Sequence, residues 1–563
     1  MSMDSRERHG EQGQIIVLFA LMLSVLMILA ALLYSGANTL VNRRQLQNAG
    51  DSAALAAANL MTNGTSLCNS TRISPTLSGN DLYVAAKNSV MTNLGWTAAQ
   101  VTSRMTVSCP AASAYGSVAV LVNLSMTGPK WFGTGGLQVT TASTGINGQV
   151  TNGEYSVALL DPMPTLTNGS LWSNSTGCPS YLFNGGVTIT YEGSIFVDST
   201  CTRAINNNGA VDAHNSAFSM TLVNGARLLT GGETSAGTVS KVTPTASENV
   251  RPLLADPFSG LVPPCHATGS TTNCLGGNTA LPVRDYGTNG QGLCKNTKVA
   301  CVLQPGTYVG GVLAANGNAL PTLLLRPGVY YIEGGGVQLK SAAAQIITIP
   351  SATTGKCTGT STVTCTDTDA IARYCNPTNQ NNGSCQLNGT TTPTVASNWH
   401  TDCPEPPAAS TCGVLIYNAT TDGNTAWTTN GSNTDNIQSG SQGTMLLRAY
   451  NPTYDSISGN GSTFASYKNL VIWQAREPLP ASSVPQPAIT MAGGACVVMS
   501  GSVYASGAEV QFGGESCGSG GGADAQLTLQ FVCWDLTLSG NNNFYFAYRR
   551  NSLATPFAYG LVP

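Results

Sequence analysis

Leu303-Gln-Pro-Gly-Thr-Tyr308 and Leu325-Arg-Pro-Gly-Val-Tyr330 are two copies of one phrase, 22 residues apart, each followed by a run of glycines (Gly310-Gly311; Gly334-Gly335-Gly336). A repeat of that length, made of a short apolar run and a Pro-Gly corner, suits one turn of a stacked structure in which each turn buries its inward residues only against the next. A second echo joins Gly193-Ser-Ile-Phe-Val197 to Gly501-Ser-Val-Tyr-Ala505. Around these phrases lie many short β-rich runs separated by Gly and Asn. They include Val187–Tyr191, Ile195–Val197, Met220–Val223, Leu323–Leu325, Ile346–Ile349, Val414–Tyr417, Leu470–Trp473 and Leu527–Val532. The expectation for 168–555 is a right-handed parallel β-helix-like solenoid, with antiparallel β-sandwiches as the competing architecture. Two Cys- and Pro-rich stretches, near 263–301 and 351–412, read as insertions between its turns.

Composition limits function. Charged residues are 9% of the 563, and the formal net charge is -3. No basic field is available to neutralise phosphates along a polymer, so nucleic-acid binding is excluded as a function. The 17 Cys form no C-x-x-C pair, and none is backed by His at zinc spacing. Neighbours 7–10 residues apart predict loop-stapling disulfides: Cys265 with Cys274, Cys294 with Cys301, Cys357 with Cys365, Cys375 with Cys385, and Cys403 with Cys412. Such pairs belong to an oxidising compartment. An odd total leaves one thiol over, placed among Cys496, Cys517 and Cys533.

The N-terminus supplies the location. No charge occurs between Glu11 and Arg43, and Ile15 to Tyr34 reads IIVLFALMLSVLMILAALLY. As a helix those residues span about 30 Å of hydrocarbon. The run exceeds the apolar core of a cleaved signal peptide. Arg6 and Arg8 on one side balance Arg43 and Arg44 on the other, so the positive-inside count leaves orientation open. The cysteines place the long C-terminal part outside, with residues 1–14 as a cytoplasmic tail.

Helical periodicity continues past the apolar run through LVNRRQLQNAGDSAALAAANLM, with Leu46, Ala49, Ala53, Ala57 and Leu60 on one stripe. Small residues there suit close approach of another helix, or packing of the stalk on its own domain. Gly13-Gln14 before the apolar run, then Arg43-Arg44-Gln45-Leu46-Gln47-Asn48-Ala49-Gly50-Asp51-Ser52-Ala53-Ala54-Leu55-Ala56-Ala57-Ala58, closely resembles the N-terminal module of the TadE/TadG-like proteins of Tad (Flp) pilus assembly. The resemblance covers about 50 residues, assigned as 15–62 with the tail before it. It implies a bitopic membrane protein whose partners are pilus-assembly components or pilins. Cutting after Gly13 would put Leu18 where processed prepilins carry Glu, so the uncleaved, TadG-like form is implied.

Residues 63–155 read as a small α+β domain. A helix is expected over Asp81 to Leu94, capped by Asn80, with strands at Thr106–Ser108, Ser117–Met126 and Leu137–Thr141.

Candidates for chemistry are few. His9, His214, His266 and His400 occupy no ligand-spaced motif and read as surface or loop residues. Gly514-Glu515-Ser516-Cys517-Gly518 matches G-x-S-x-G, but Ser519-Gly-Gly-Gly522 follows where the nucleophile elbow needs a helix. Asp367 and Asp369 are the nearest acidic cluster and read as solvated rather than as a Ca²⁺ site. Asp198-Ser-Thr200-Cys-Thr202 only loosely follows the D-x-S-x-S metal motif of some TadG-like proteins. No catalytic, cofactor or metal residue is assigned. The expectation is a non-enzymatic envelope protein whose β-rich part presents a surface to pilus, cell wall or surface polysaccharide; a surface adhesin unrelated to pili and a tethered polysaccharide-active enzyme are the alternatives.

Overall fold

The computed structural model describes residues 8–61, 68–109, 119–128, 137–149, 155–160, 180–201, 209–213, 217–249, 256–265, 274–284, 300–314, 322–339, 345–357, 365–374, 398–405, 410–419, 436–439, 444–475, 489–491, 496–513, 525–540, 543–554 and 557–562. The chain is mainly β, with one apolar N-terminal helix and a large sheet of parallel strands. It divides into two units, Met1–Asn152 with Pro556–Pro563, and Gly153–Thr555.

In the first unit, helix α1 (Arg8–Ala58) runs unbroken for 51 residues. Helices α2 (Asp81–Leu94) and α3 (Ala98–Arg104) follow, then strands β1 (Met105–Ser108), β2 (Ala119–Gly128) and β3 (Leu137–Gln149). The three strands are antiparallel, and the chain's last strand, Phe557–Val562, adds to β3 at the sheet edge. Alternation places Val120, Val122, Leu124 and Val139 inward against the helices. The α2 bounds agree with the sequence reading, but its cap does not: Asn80 makes no side-chain capping bond. Asp81 accepts from the Leu82 N–H instead and pairs with Arg72, whose Nη2 also donates to the Leu60 carbonyl at 3.0 Å. One arginine thereby joins the end of α1 to the start of α2. Gly95, at φ 64°, ends α2 with its N–H on the Met91 carbonyl. A Cys68–Cys109 disulfide, 41 residues in span, ties the unit further.

The second unit holds β4 (Tyr155–Leu159), β5 (Tyr181–Asn184), β6 (Thr188–Tyr191), β7 (Ser194–Val197), β8 (Val211–Ala213), β9 (Ser219–Leu222), β10 (Leu228–Thr230), β11 (Val242–Thr243), β12 (Val283–Arg284), β13 (Cys301–Leu303), β14 (Gly306–Val309), β15 (Val312–Ala314) and β16 (Thr322–Leu325). It continues through β17 (Gly328–Glu333), β18 (Val337–Leu339), β19 (Gln345–Thr348), β20 (Val414–Ala419), β21 (Ile437–Ser439), β22 (Thr444–Arg448), β23 (Leu470–Gln474), β24 (Ile489–Met491), β25 (Cys496–Gly513), β26 (Ala525–Ser539) and β27 (Asn543–Phe546); the terminal strand is β28 (Phe557–Val562). From β13 to β21 each strand pairs in parallel with the third strand after it. The same rule links β4 to β7, β5 to β8, β6 to β9 and β7 to β10. Long strands β25 and β26 each take part in successive ladders.

The two runs of strands join where the ends of the unit meet. β26 pairs with β4 and β5, and β27 with β6. The sheet therefore reads without interruption from β12 through β27 into β4 and on to β11, although β4 is the first strand of this unit in sequence. The link from β11 back to β12 must cross from one end of this order to the other. Part of the stretch read from sequence as an insertion near 263–301 belongs to that crossing. Described residues of the crossing contact β25 and the segment between β22 and β23: Phe258 on Tyr504 (5.1 Å between ring centroids), the Val262 carbonyl on Tyr467 Oη (2.7 Å), and the Ala280 carbonyl on Asn460 Nδ2 (2.8 Å).

The repeated phrase is a corner. Gly306 and Gly328 open β14 and β17 at φ 151° and 146°, in the region open to glycine. Tyr308 Oη donates to the Gln304 carbonyl at 2.6 Å, and Tyr330 Oη to that of Arg326 at 2.8 Å, so each ring closes its own Pro-Gly turn. The two rings stack at 5.9 Å. The spacing is 22 at Leu303 against Leu325 but 24 at Gly306 against Tyr330, because the corner shifts the register. The second echo is also positional: Val503 aligns with Phe531, Val157 and Ile195 along one ladder. The inward column of Leu323, Leu325, Tyr330, Ile332 and their counterparts forms a continuous apolar core.

Outward residues divide by what covers them. In β16, β19 and β22 they are Leu324, Ile347 and Leu446, buried under the 351–412 stretch through Cys357, Cys365, Tyr374, Trp399, Cys403 and Cys412. Both faces of these strands are dry, which accounts for their unbroken apolar runs. In β6 and β9 the outward Thr188, Ser219 and Thr221 are partly or fully exposed, and the sequence alternates accordingly. Disulfides Cys265–Cys274, Cys357–Cys365 and Cys403–Cys412 match three of the expected pairs. Cys301 is disulfide-bonded, while Cys294, Cys375 and Cys385 lie outside the described residues. The leftover thiol among the described residues is Cys533, whose pKa burial pushes well up, leaving it inert.

Candidate membrane anchor and docking site

Helix α1 has two halves of opposite character. From Val17 to Tyr34 its large apolar side chains are exposed, with Leu33 at 75%, and Leu40 and Val41 are exposed as well. From Leu46 onward one face is fully covered: Leu46, Ala49, Ala53, Ala54, Ala57 and Ala58 are all at 0%. The first half suits lipid, the second a protein interior.

The cover on the second half is the unit's own sheet. The side chains of Leu46 and the alanines share a core with Val120, Val122, Leu124, Val139 and α2. Of the two readings of the alanine stripe, the structure has the stalk packed on its own domain, and the face is therefore not open to a partner helix. Leu60, assigned to the same stripe, is 40% exposed, since the helix has ended at Ala58. Small residues are needed because the sheet comes very close. At Gly145 of β3 a Cβ would stand 2.3 Å from the Ala54 carbonyl oxygen.

Polar residues of the same stretch fix the register. Ser143 Oγ donates to Asp51 Oδ1 at 2.7 Å, and Gln47 Nε2 donates to Asp51 Oδ1 at 2.8 Å and contacts Ser143 Oγ at 3.1 Å. A carboxylate receiving both donors at the edge of an apolar contact makes any sliding of helix on strand costly.

Residues 13–60 match the family model described as putative Flp pilus-assembly TadE/G-like. The matched TadE/G-like segment thus includes both the exposed apolar half of α1 and the half that docks on β2 and β3. No curated protein and no solved structure matches the chain.

The residues weighed for chemistry are used structurally where they are described. Asp367 receives Nε of the buried Arg326 at 3.1 Å, and Arg326 Nη1 also donates to the Pro350 carbonyl. Asp369 caps the helix Asp367–Tyr374 by accepting from Thr366 N–H (3.1 Å) and Oγ1 (2.7 Å). His400 flanks Arg448 with part of its ring shielded from solvent; that partial desolvation first, then the guanidinium, hold its imidazole below the ordinary range. Arg448 lies 4.1 Å over the Trp399 ring, donates to the Cys403 carbonyl and pairs with Glu405; burial pushes its pKa down to about 10. Sequence reasoning missed both arginines. Asp198 is buried just after β7, with its N–H on the Leu159 carbonyl, and Cys201 is disulfide-bonded. Among the described residues no three His, Cys, Asp or Glu come together to hold a metal. His214, His266, Thr202 and Ser516 lie outside the described residues, and the side chain of His9 is not among them.

Proposed function

We propose that the chain is a single-pass, membrane-anchored structural and interaction protein of the pilus-assembly type, with everything after α1's apolar half on the extracytoplasmic side. The observation that carries this reading is the exposed apolar run of α1, continuous with a docked segment that matches the TadE/G-like model. Disulfides in both units support an oxidising, exported location. The third-strand pairing rule supports a right-handed parallel β-helix in the second unit, a rigid body with a long lateral surface for pilus components or the cell wall. Engagement of Asp367 and Asp369 in structural bonds supports a non-enzymatic role.

Protease shaving of intact cells, with an N-terminal tag and non-reducing peptide mapping, tests topology. Disulfide-linked peptides from beyond Arg44 should be released while the tag stays with the membrane. A gene deletion that leaves piliation and adhesion normal would refute the pilus-related role.

A further inference from the structure

We propose that the Leu46 end of the first unit rests on the bilayer, and that Arg43, Arg44 and the cleft beside Arg104 take the phosphates of anionic phospholipid headgroups. The proposal rests on the anchor reading above and adds a specific lipid partner to it.

Length sets the position. The charge-free stretch from Gln12 to Asn42 has 31 residues, about 46 Å as helix, against about 40–45 Å for a bilayer with its headgroups. Arg43 and Arg44 therefore emerge at the headgroup boundary. Leu46, the first fully buried residue, follows about 3 Å further along an unbroken helix, so no linker holds the unit away from the lipid.

Two independent registers show what else lies at that height. Asp51 against Ser143 and Ala54 against Gly145 show that β3 runs alongside α1 in the same direction. Thr140, three residues before Ser143, is about 10 Å nearer the membrane, level with Arg44. Arg72 holds Asp81 beside Leu60 at the far end of α1, and α2 packs back along α1 from there. Its 14 residues, about 20 Å, bring Trp96 down to the height of Leu46. Arg104 lies 5.2 Å over the Trp96 ring. Beside it opens a shallow cleft of about 540 Å³ lined by Ser103, Arg104, Thr106, Asn123, Ser125 and Thr140 among others.

At one height these side chains offer headgroups two sets of donors, the guanidiniums of Arg43 and Arg44 on α1 and, at the cleft on the sheet face turned away from α1, Arg104 with hydroxyl and amide groups beside the Trp96 indole. Arg43, Arg44 and Arg104 make no ion pair among the described residues, and the cleft has no carboxylate lining.

Hydrogen exchange of the full chain tests this in nanodiscs of phosphatidylcholine alone or with one-third phosphatidylglycerol. Peptides spanning Trp96–Ser108 are expected to exchange at least threefold slower with phosphatidylglycerol. Arg104→Gln combined with Arg43→Gln and Arg44→Gln should abolish the difference, and Arg104→Lys should retain part of it. Equal exchange in both lipids would overturn the proposal, as would equal slowing by inorganic phosphate in phosphatidylcholine discs, which would mark a simple ion site. Protection of residues 17–41 in both discs reports the anchor separately, so loss of that protection would identify failure of the anchor reading instead.

Discussion

Ser143 Oγ reaches Asp51 Oδ1 at 2.7 Å across 92 residues of sequence. The contact makes an aspartate of the TadE/G-like segment part of a helix-on-sheet joint. Asp51→Ala leaves Gln47 and Ser143 without their shared acceptor at a half-buried site and should cost about 1–3 kcal/mol. Gly145→Ala acts on the same joint by volume, since the Ala54 carbonyl cannot retreat without moving α1; overpacking of this kind costs about 1–3 kcal/mol. Urea unfolding in detergent, followed by proteolysis at the first unit, measures both. A double-mutant cycle of Asp51→Ala with Ser143→Ala should show clear non-additivity.

How much of this was legible follows from the range of each signal. The Gly193 and Gly501 echoes fall on one ladder because the same local corner demands the same residues. Short-span disulfides such as Cys357–Cys365 were readable because the loop brings its own partner. Cys68–Cys109 was not, since a separation of 41 residues carries no local mark. The return of the chain from β11 to β12 was equally hidden: strand patterns show which face is buried but not which strand lies alongside. Arg326 and Arg448 were missed because an arginine at the end of a strand carries no mark of burial, whereas here both are about 1% exposed and hold the 351–412 cover in place.

Tyr330 closes the second Pro-Gly corner, with Oη 2.8 Å from both the Arg326 and Leu303 carbonyls. Tyr330→Phe keeps the ring stacked on Tyr308 but takes the hydroxyl donor from the Arg326 carbonyl, while the Leu303 carbonyl keeps the Arg326 N–H at 3.0 Å, a loss of about 1–2 kcal/mol. Chemical denaturation comparing Tyr330→Phe with Tyr155→Phe, whose buried hydroxyl makes no hydrogen bond among the described residues, should show the larger loss for Tyr330.

Acid should loosen the Arg72 clasp. The hydrogen bond from Arg72, aided by its charge, holds the Asp81 carboxyl below the usual carboxylate value, despite an opposing effect of desolvation. A depressed folded-state value means that this stabilisation is present above the unfolded value of about 3.9 and is lost as pH falls through the folded one. Asp81 is half exposed, so the effect is modest and screened by salt. Between pH 5 and pH 2 the urea midpoint of the first unit should fall more steeply in the native chain than in Asp81→Asn; equal slopes would contradict the assignment.

The terminal strand makes a sharper demand. β28 pairs with β3 from Thr144 to Gln149, so the first unit's sheet is finished by the last residues of the chain. The second unit, by contrast, has completed its pairing at β27, which closes against β6 without help from β28. Removing residues 557–563 should therefore open the edge of β3 and strip one side of the strand that carries Ser143 and Gly145. The joint with α1 then loses part of its support, while the parallel sheet keeps every strand. Limited proteolysis of the truncated chain should cut early within residues 105–149 and leave 155–546 as resistant as in the full chain. Equal resistance of both regions would show that β28 contributes nothing to the first unit, and unfolding of both would show that the second unit depends on it as well.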